Sequence, residues 1–340
     1  MHLGRQYKFS EYVLWMRWET AYLFGWALVV TAVLQVLHLD FLTVPAAVLA
    51  VVGTALAIIL GFKNQQCYAR INEALAVWGQ INSASLILAN KAAAAAAAGG
   101  LAADAPELKA IFHRHFAWLT AMRFHLRMPK VWENTHEPGN KKFLELLPVP
   151  ETGLSVKDEI ANYLSDDEFK RFNAHRGDKE SFLLTLQYQA IGALFAKSVI
   201  DAQVFVALSD AVDQLFRLQG TAKRLKNYPY ARNYYSIALI LVKAFAIILP
   251  FALFPATRDL GKTAGLEQWT AWLNVPFSVL VGWIFVTLEK VGENSSNPFE
   301  GGPNDVPISA LSRRMEIEMR LMLGEDTALK PIEPKFNILF

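Results

Sequence analysis

The sequence predicts an all-α membrane protein: four transmembrane helices per subunit and a large helical cytoplasmic portion. Two observations carry that prediction. The stretch Val44–Phe62 (VPAAVLAVVGTALAIILGF) runs for 19 residues without a charge, about 28 Å as a helix, which matches the hydrocarbon thickness of a bilayer. Beyond Phe62 the chain reads KNQQCYARINEALAVWGQINSASLILANK, polar but without Pro or Gly before Gly79. One long helix that leaves the membrane and carries on into the cytosol is therefore expected. A pore that must continue beyond the lipid is built that way, whereas an ordinary anchor has no need of it.

Composition bounds the class. Hydrophobic residues make up 53% of the 340, and they gather in two blocks, roughly 20–62 and 236–288, around a polar middle. A net charge of +2 leaves no nucleic-acid footprint. The single cysteine, Cys67, excludes an internal disulfide and fits a reducing compartment. The apolar run Ala21–Leu37 is followed by no small-residue cleavage site, so no signal peptide is expected.

The elements follow in order. Residues 1–19 mix Arg5, Lys8 and Arg17 with Tyr12, Trp15 and Trp18, the composition of a water–lipid boundary. A first span is expected over about Ala21–Leu37. The turn His38-Leu39-Asp40 returns it into a second, about Phe41–Phe62, as an antiparallel hairpin. The alanine run Ala92–Ala98 should close the long helix before Gly99 and Gly100, as a helix tail and loop of no chemical importance. Asp104 ahead of Pro106 and Glu107 signals a helix start, with Leu108, Ile111, Phe112, Leu119 and Met122 on its apolar face. The segment 127–153, rich in Pro and charge, reads as a surface loop. Ser155-x-x-Asp158 and Ser165-x-x-Glu168 resemble capping boxes, and one or two long helices follow over Glu180–Leu225. A third span, about Ser236–Phe254, should end at Pro255, and a fourth should occupy about Trp269–Leu288. A last amphipathic helix near Ser309–Leu323 is stopped by Gly324, and 325–340 reads as extended or disordered.

Lys and Arg near the span ends set the orientation. Arg5, Lys8, Arg17, Lys63, Arg70, Arg224, Lys226, Arg232 and Lys290 share one side, against His38, Arg258 and Lys262 on the other. Both termini and the polar middle are thus expected in the cytoplasm. The expected division is 1–62 (N-terminal segment and the first two spans), 63–235 (cytoplasmic helices), 236–290 (the last two spans) and 291–340 (cytoplasmic C-terminal segment).

Two stretches resemble the bestrophin family. LGFKNQQCYARINEALAVWGQ, residues 60–80, carries Gly-Phe, a basic residue, Asn, Tyr, Arg and Glu, then Trp-Gly. Residues 282–325 resemble the bacterial bestrophin-like C-terminal signature, most specifically in Asn297-Pro298-Phe299 and Gly302-Pro303-Asn304-Asp305. The resemblance implies a homopentameric ion channel in a bacterial inner membrane, with the second span of each subunit lining the pore. It also implies a neck of three apolar residues four apart, ending on the Phe of Gly-Phe, which here gives Thr54, Ile58 and Phe62. Spacing of four keeps them near one helix face, and five copies of Ile58 and Phe62 would form a constriction that gates by dewetting. Thr54 departs from the usual aliphatic residue, so the outer end should be wetter. A second constriction on the helix beginning near Ile200-Asp201 leaves Gln203 or Val206, each equally well a core position.

Calcium gating, known in animal bestrophins through consecutive acids after Asn-Pro-Phe, is not expected. Glu300 and Asp305 are separated by Gly-Gly-Pro-Asn and cannot supply six to eight oxygens in that geometry. No metal or cofactor is expected, and the partners are further copies of the chain, the bilayer and small inorganic ions.

Other residues have two readings. Lys243, inside the third span, faces the bundle or water and tunes the ion path, or snorkels to the cytoplasmic end. Glu73 forms a ring of carboxylates in the lumen or pairs with Arg70 of a neighbouring subunit. Gly261-Lys262-Thr263 imitates a phosphate loop but has Ala256 where that loop needs glycine. His113 and His115 point to different sides of a helix, unsuited to one metal. Asn294-Ser295-Ser296 is a glycosylation triplet on the wrong side of the membrane, and Cys67 reads as a small buried residue. No set of residues stands at a catalytic spacing. The rival to a channel is a membrane-anchored scaffold or receptor that conducts nothing. A membrane enzyme lacks residues to act with, and a transporter lacks paired broken spans.

Overall fold

A computed structural model describes residues 1–100, 102, 105–134, 138–325 and 328–340. Its helices are α1 (Phe9–Trp15), α2 (Arg17–Leu37), α3 (Ala46–Ala98), α4 (Pro106–Arg127), α5 (Pro138–Leu146), α6 (Val156–Ala161), α7 (Asp166–Ala174), α8 (Lys179–Ala196), α9 (Ala202–Asn227), α10 (Arg232–Asp259), α11 (Glu267–Thr270), α12 (Asn274–Asn294) and α13 (Ile308–Met322). Among the described residues β-pairing is limited to the isolated bridges His2–Ile338 and Lys335–Ile338. Four helical stretches are long and apolar enough to cross a membrane. The chain divides into two compact units, one of Met1–Leu3, Arg70–Tyr228 and Asn297–Phe340, the other of Gly4–Ala69 and Pro229–Ser296.

The long helix is present as expected: α3 runs unbroken for 53 residues, through Gly79. It begins later than expected. His38 takes a left-handed conformation after α2, a single 3-10 turn covers Asp40–Leu42, and α3 starts at Ala46, directly after Pro45.

In the unit of Gly4–Ala69 and Pro229–Ser296, Leu49, Leu56 and Leu60 of α3 are buried among Val242, Phe245 and Leu249 of α10, while α2 packs on α10 and α12. Gly282 lets α12 approach α2 closely, since a Cβ there would meet Leu23 Cδ2 at 2.9 Å. The buried amide of Asn274 donates to Thr31 Oγ1 at 2.9 Å and to the Pro250 carbonyl at 3.0 Å, and its oxygen accepts from Ser278 at 3.1 Å. This knot satisfies polar groups that lipid would leave unpaired.

Two expectations about the later spans are corrected here. The third span does not end at Pro255, because α10 passes through both Pro250 and Pro255. A proline in a helix strips the carbonyl four residues earlier of its N–H. For Pro255 that carbonyl belongs to Phe251, and it accepts instead from the Val44 N–H at 3.3 Å. The fourth span is also subdivided: Trp269 lies in α11 and Trp272 in a 3-10 turn before α12 begins at Asn274.

In the other unit, Trp78 and Ile81 of α3 join Phe112 and Phe116 of α4, Leu183 of α8 and Leu215 of α9 in one core. The expected alanine tail ends on Gly100 at φ 75°. It is more than a tail, since Ala92, Ala95 and Ala96 are buried in that core. Ser165 and Glu168 form the expected capping box. Ser155 precedes α6 without a side-chain cap, and Asp104 lies outside the described residues. Of the two alternatives for 180–225, two helices are found, parted at Ser198 with φ 55°. Asp201 caps the second, accepting from the Val204 N–H at 2.8 Å.

The segment 127–153 is not a plain surface loop. It contains α5 and buries Glu133, Asn134, Leu147 and Glu151. The end of the chain is ordered over 328–340: Ile338 and Phe340 pack with Leu147, and the Ala310 N–H donates to the Phe340 carbonyl at 2.7 Å.

Candidate functional site

Successive residues of a helix are turned by about 100°, so a helix that buries Leu56 and Leu60 must turn Thr54, Ile58 and Phe62 elsewhere. All three are exposed on one face of α3, Ile58 at 55% and Phe62 at 63%, against 1% and 0% for Leu56 and Leu60. Thr54 donates its hydroxyl to the Ala50 carbonyl at 2.9 Å. Its proton is spent inside the helix.

The next residues fix that rotation. Lys63 is buried and its Nζ lies 2.7 Å from Glu289 Oε1 and 4.6 Å from the centre of the Tyr235 ring. Asn64 donates to the Leu288 carbonyl at 2.9 Å, and Gly292 leaves it room, since a Cβ there would stand 2.0 Å from Asn64 Oδ1. The bestrophin-like run Phe62-Lys63-Asn64 thus holds two polar side chains against α12 and sends the aromatic ring the other way.

Arg70 donates through Nη2 to the carbonyls of Leu225 (2.9 Å) and Tyr228 (2.8 Å), covering orphan acceptors at the end of α9. Glu73 pairs with Arg224 of the same chain, both side chains about half exposed. Gln203 and Val206 are exposed on the first turns of α9. Lys243 is exposed on α10, two turns beyond Tyr235.

The signature loop is built around one carboxylate. Asp305 Oδ1 accepts the N–H groups of Phe299 and Val306, both at 2.7 Å, and Oδ2 accepts that of Gly301 at 2.6 Å. Arg127 donates to Oδ2 at 2.9 Å. Phe299 is held at φ 74°, a region costly for a bulky residue, and its ring is fully buried against Trp78. Asn297 and Pro298 are buried beside it, and Asn304 is exposed.

Next to this loop Lys226 and Glu133 form a buried ion pair. Burial lowers the Lys226 pKa below its ordinary value. Burial, with Glu133 and Asp305 adding repulsion, pushes the Glu300 carboxyl up to about 8. Among the described residues no group of His, Cys, Asp and Glu is arranged to hold a metal ion, and the Asp305 oxygens already face four hydrogen-bond donors. Sequence reasoning missed Arg127, Glu133 and Lys226. A charged residue whose partner is distant in the sequence, as Glu133 is from Lys226 and Arg127 from Asp305, carries no local sign of burial.

His113 and His115 do not converge. His115 is buried and, among the described residues, neither ring nitrogen has a hydrogen-bond partner; burial drives its pKa down to about 3. His113 is half-buried with its Nε2 3.8 Å from Glu325. Cys67 is buried, as expected.

Residues 12–321 match the family model described as Bacterial/Fungal Bestrophin protein. Among curated proteins, the chain is 26% identical over 277 residues to the voltage-dependent anion channel-forming protein YneE of Escherichia coli, covering 81% of this chain and 76% of that protein. The YneE protein of Salmonella typhi is 25% identical over 288 residues, 84% of this chain and 80% of its own length. The crystal structure of a bacterial bestrophin homolog from Klebsiella pneumoniae superposes with a TM-score of 0.74 at 18% identity, over 92% of this chain and all of that one. With four membrane-length helices in the same fold and a family match over nearly its whole length, the chain belongs to the bacterial and fungal bestrophin family.

Proposed function

We propose that the chain assembles as a homopentameric ion channel of a bacterial inner membrane. It passes small monovalent ions through an apolar neck of Thr54, Ile58 and Phe62, with both termini in the cytoplasm. Residues 1–62 and 236–290 form the membrane part, 63–235 and 291–340 the aqueous part, and Gln203 or Val206 narrows the cytoplasmic mouth.

One observation carries the reading. On a helix of membrane length, Ile58 and Phe62 are exposed while Leu56 and Leu60 of the same helix fill the core. The channel-forming names of the relatives agree with it. Two rings, one of five Ile58 and one of five Phe62 side chains, would make a dry constriction that opens by wetting.

Calcium does not open it. The Asp305 oxygens accept from three backbone N–H groups and a guanidinium, a set of donors that a cation would have to displace.

The test is reconstitution into liposomes with single-channel recording of the wild type and of Ile58→Ala with Phe62→Ala. Widening the neck raises conductance or open probability, and no change in either overturns the assignment. Chelating calcium leaves the current unaltered, and a large loss overturns the calcium statement. A protein that only anchors a scaffold passes no ions at all.

A further inference from the structure

Lys243 is the one charged side chain across four apolar stretches: Thr20–Leu37 of α2, Ala46–Phe62 of α3, Asn233–Thr257 of α10 and Asn274–Leu288 of α12. Those four stretches contain no carboxylate. It is exposed, and among the described residues it makes no ion pair. Its α10 neighbours Val242 and Phe245 are buried against α3; Lys243 itself is not.

Its depth can be read from α3. Lys63 lies over the ring of Tyr235, and Gly53 meets the ring of Phe245, a Cβ there falling 3.1 Å from it. The two contacts are ten residues apart on each helix, and the helices run in opposite directions. Interpolation puts Lys243 level with Ala55, within one turn of Thr54 and Ile58. From Ser236, where the apolar part of α10 begins, Lys243 is about 10 Å along the axis, farther than a four-carbon stem reaches back to the interface. A bare ammonium at that depth is stable only beside water or an anion.

We propose that Lys243 is a specificity-determining residue of this channel: its ammonium meets water at the depth of the neck and favours anions over cations there. The proposal rests on the channel reading and adds the sign of the ion. The neck side chains carry no charge, so they do not choose between ions. Lysines with no counter-charge, repeated in every subunit, set a positive potential across a low-dielectric wall, where charges act over longer distances than in water.

The test uses the reconstituted full chain in a potassium chloride gradient, with reversal potentials for wild type, Lys243→Met, Lys243→Arg and Lys243→Cys. The chloride-to-potassium permeability ratio should exceed one in the wild type, fall by roughly tenfold in Lys243→Met and be kept in Lys243→Arg. A water-soluble cationic methanethiosulfonate reagent should restore the ratio in Lys243→Cys, and a neutral one should not. Wild type treated with the same reagent controls for the buried Cys67. Reading Lys243→Cys before and after modification on one sample keeps the test decisive if Lys243→Met fails to assemble. An unchanged ratio in a conducting Lys243→Met channel overturns the proposal, as does a Lys243→Cys thiol that the reagent does not reach. A wild type that passes no ions fails at the earlier step and overturns the channel reading itself.

Discussion

Arg127 and Asp305, 178 residues apart in the chain, meet at 2.9 Å with both side chains buried. The same guanidinium reaches the Val306 carbonyl at 3.2 Å. Helix α4 is thereby fastened to the signature loop, and the carboxylate that receives it also holds the backbone that keeps Phe299 at positive φ. Asp305→Ala leaves three N–H groups without their acceptor and the buried guanidinium with Glu151, at 3.9 Å, as its remaining carboxylate, and should cost about 3–5 kcal/mol. Denaturant unfolding in detergent checks it; a loss below about 1 kcal/mol would mean that the loop is held by something else.

His115 makes acid stability predictable. Its folded pKa is lowered to about 3, while the unfolded side chain takes up a proton near 6.5. The unfolded state therefore binds the extra proton as pH falls through 6.5. Stability present above that value is lost toward pH 3 at about 1.4 kcal/mol per pH unit. His115→Leu removes the proton site, so its stability should exceed that of the wild type by more at pH 5 than at pH 7. Parallel stability curves over that interval would contradict it.

Lys63 and Glu289 form a buried pair one residue beyond Phe62. Lys63→Met leaves an uncompensated carboxylate and should cost about 3–5 kcal/mol, most of which Lys63→Met with Glu289→Leu recovers. A double-mutant cycle measures the coupling. Additive losses would show that the two side chains act independently.

Glu73 and Arg224 make the contrasting, half-exposed pair. Solvent screening limits such a bridge to about 0–1 kcal/mol, so Glu73→Gln should barely move the unfolding midpoint. With its charge already offset within the chain, the substitution should also leave the reversal potential where it was. A shift toward anions would instead put the carboxylate in the ion path.

Much of the fold was legible because its cause is local. Uncharged runs announced the spans, and the absence of breakers after Phe62 announced the continuous α3. Proline misled for a non-local reason: Pro255 ends a helix only if the Phe251 carbonyl finds no other donor, and that donor, Val44, comes from a turn more than 200 residues earlier. The rotation of Ile58 and Phe62 was expected from spacing and resemblance. What imposes it, Lys63 on Glu289 and Asn64 in the space left by Gly292, is a tertiary fit between distant segments. Glu133 likewise sits in a stretch whose composition suggests solvent, yet it is 5% exposed, because its partner Lys226 lies far off in sequence.

The hydrogen bond from Val44 to Phe251 ties the first residues ahead of α3 to the proline-bearing turn of α10. Neither can be reshaped alone. Regularising α10 at Pro255 would restore no donor to that carbonyl, since proline has none to give, and pulling the turn away would leave two polar groups bare in a setting where lipid offers no replacement. The start of α3 is therefore clamped to α10 by a bond whose strength rises as water is withdrawn.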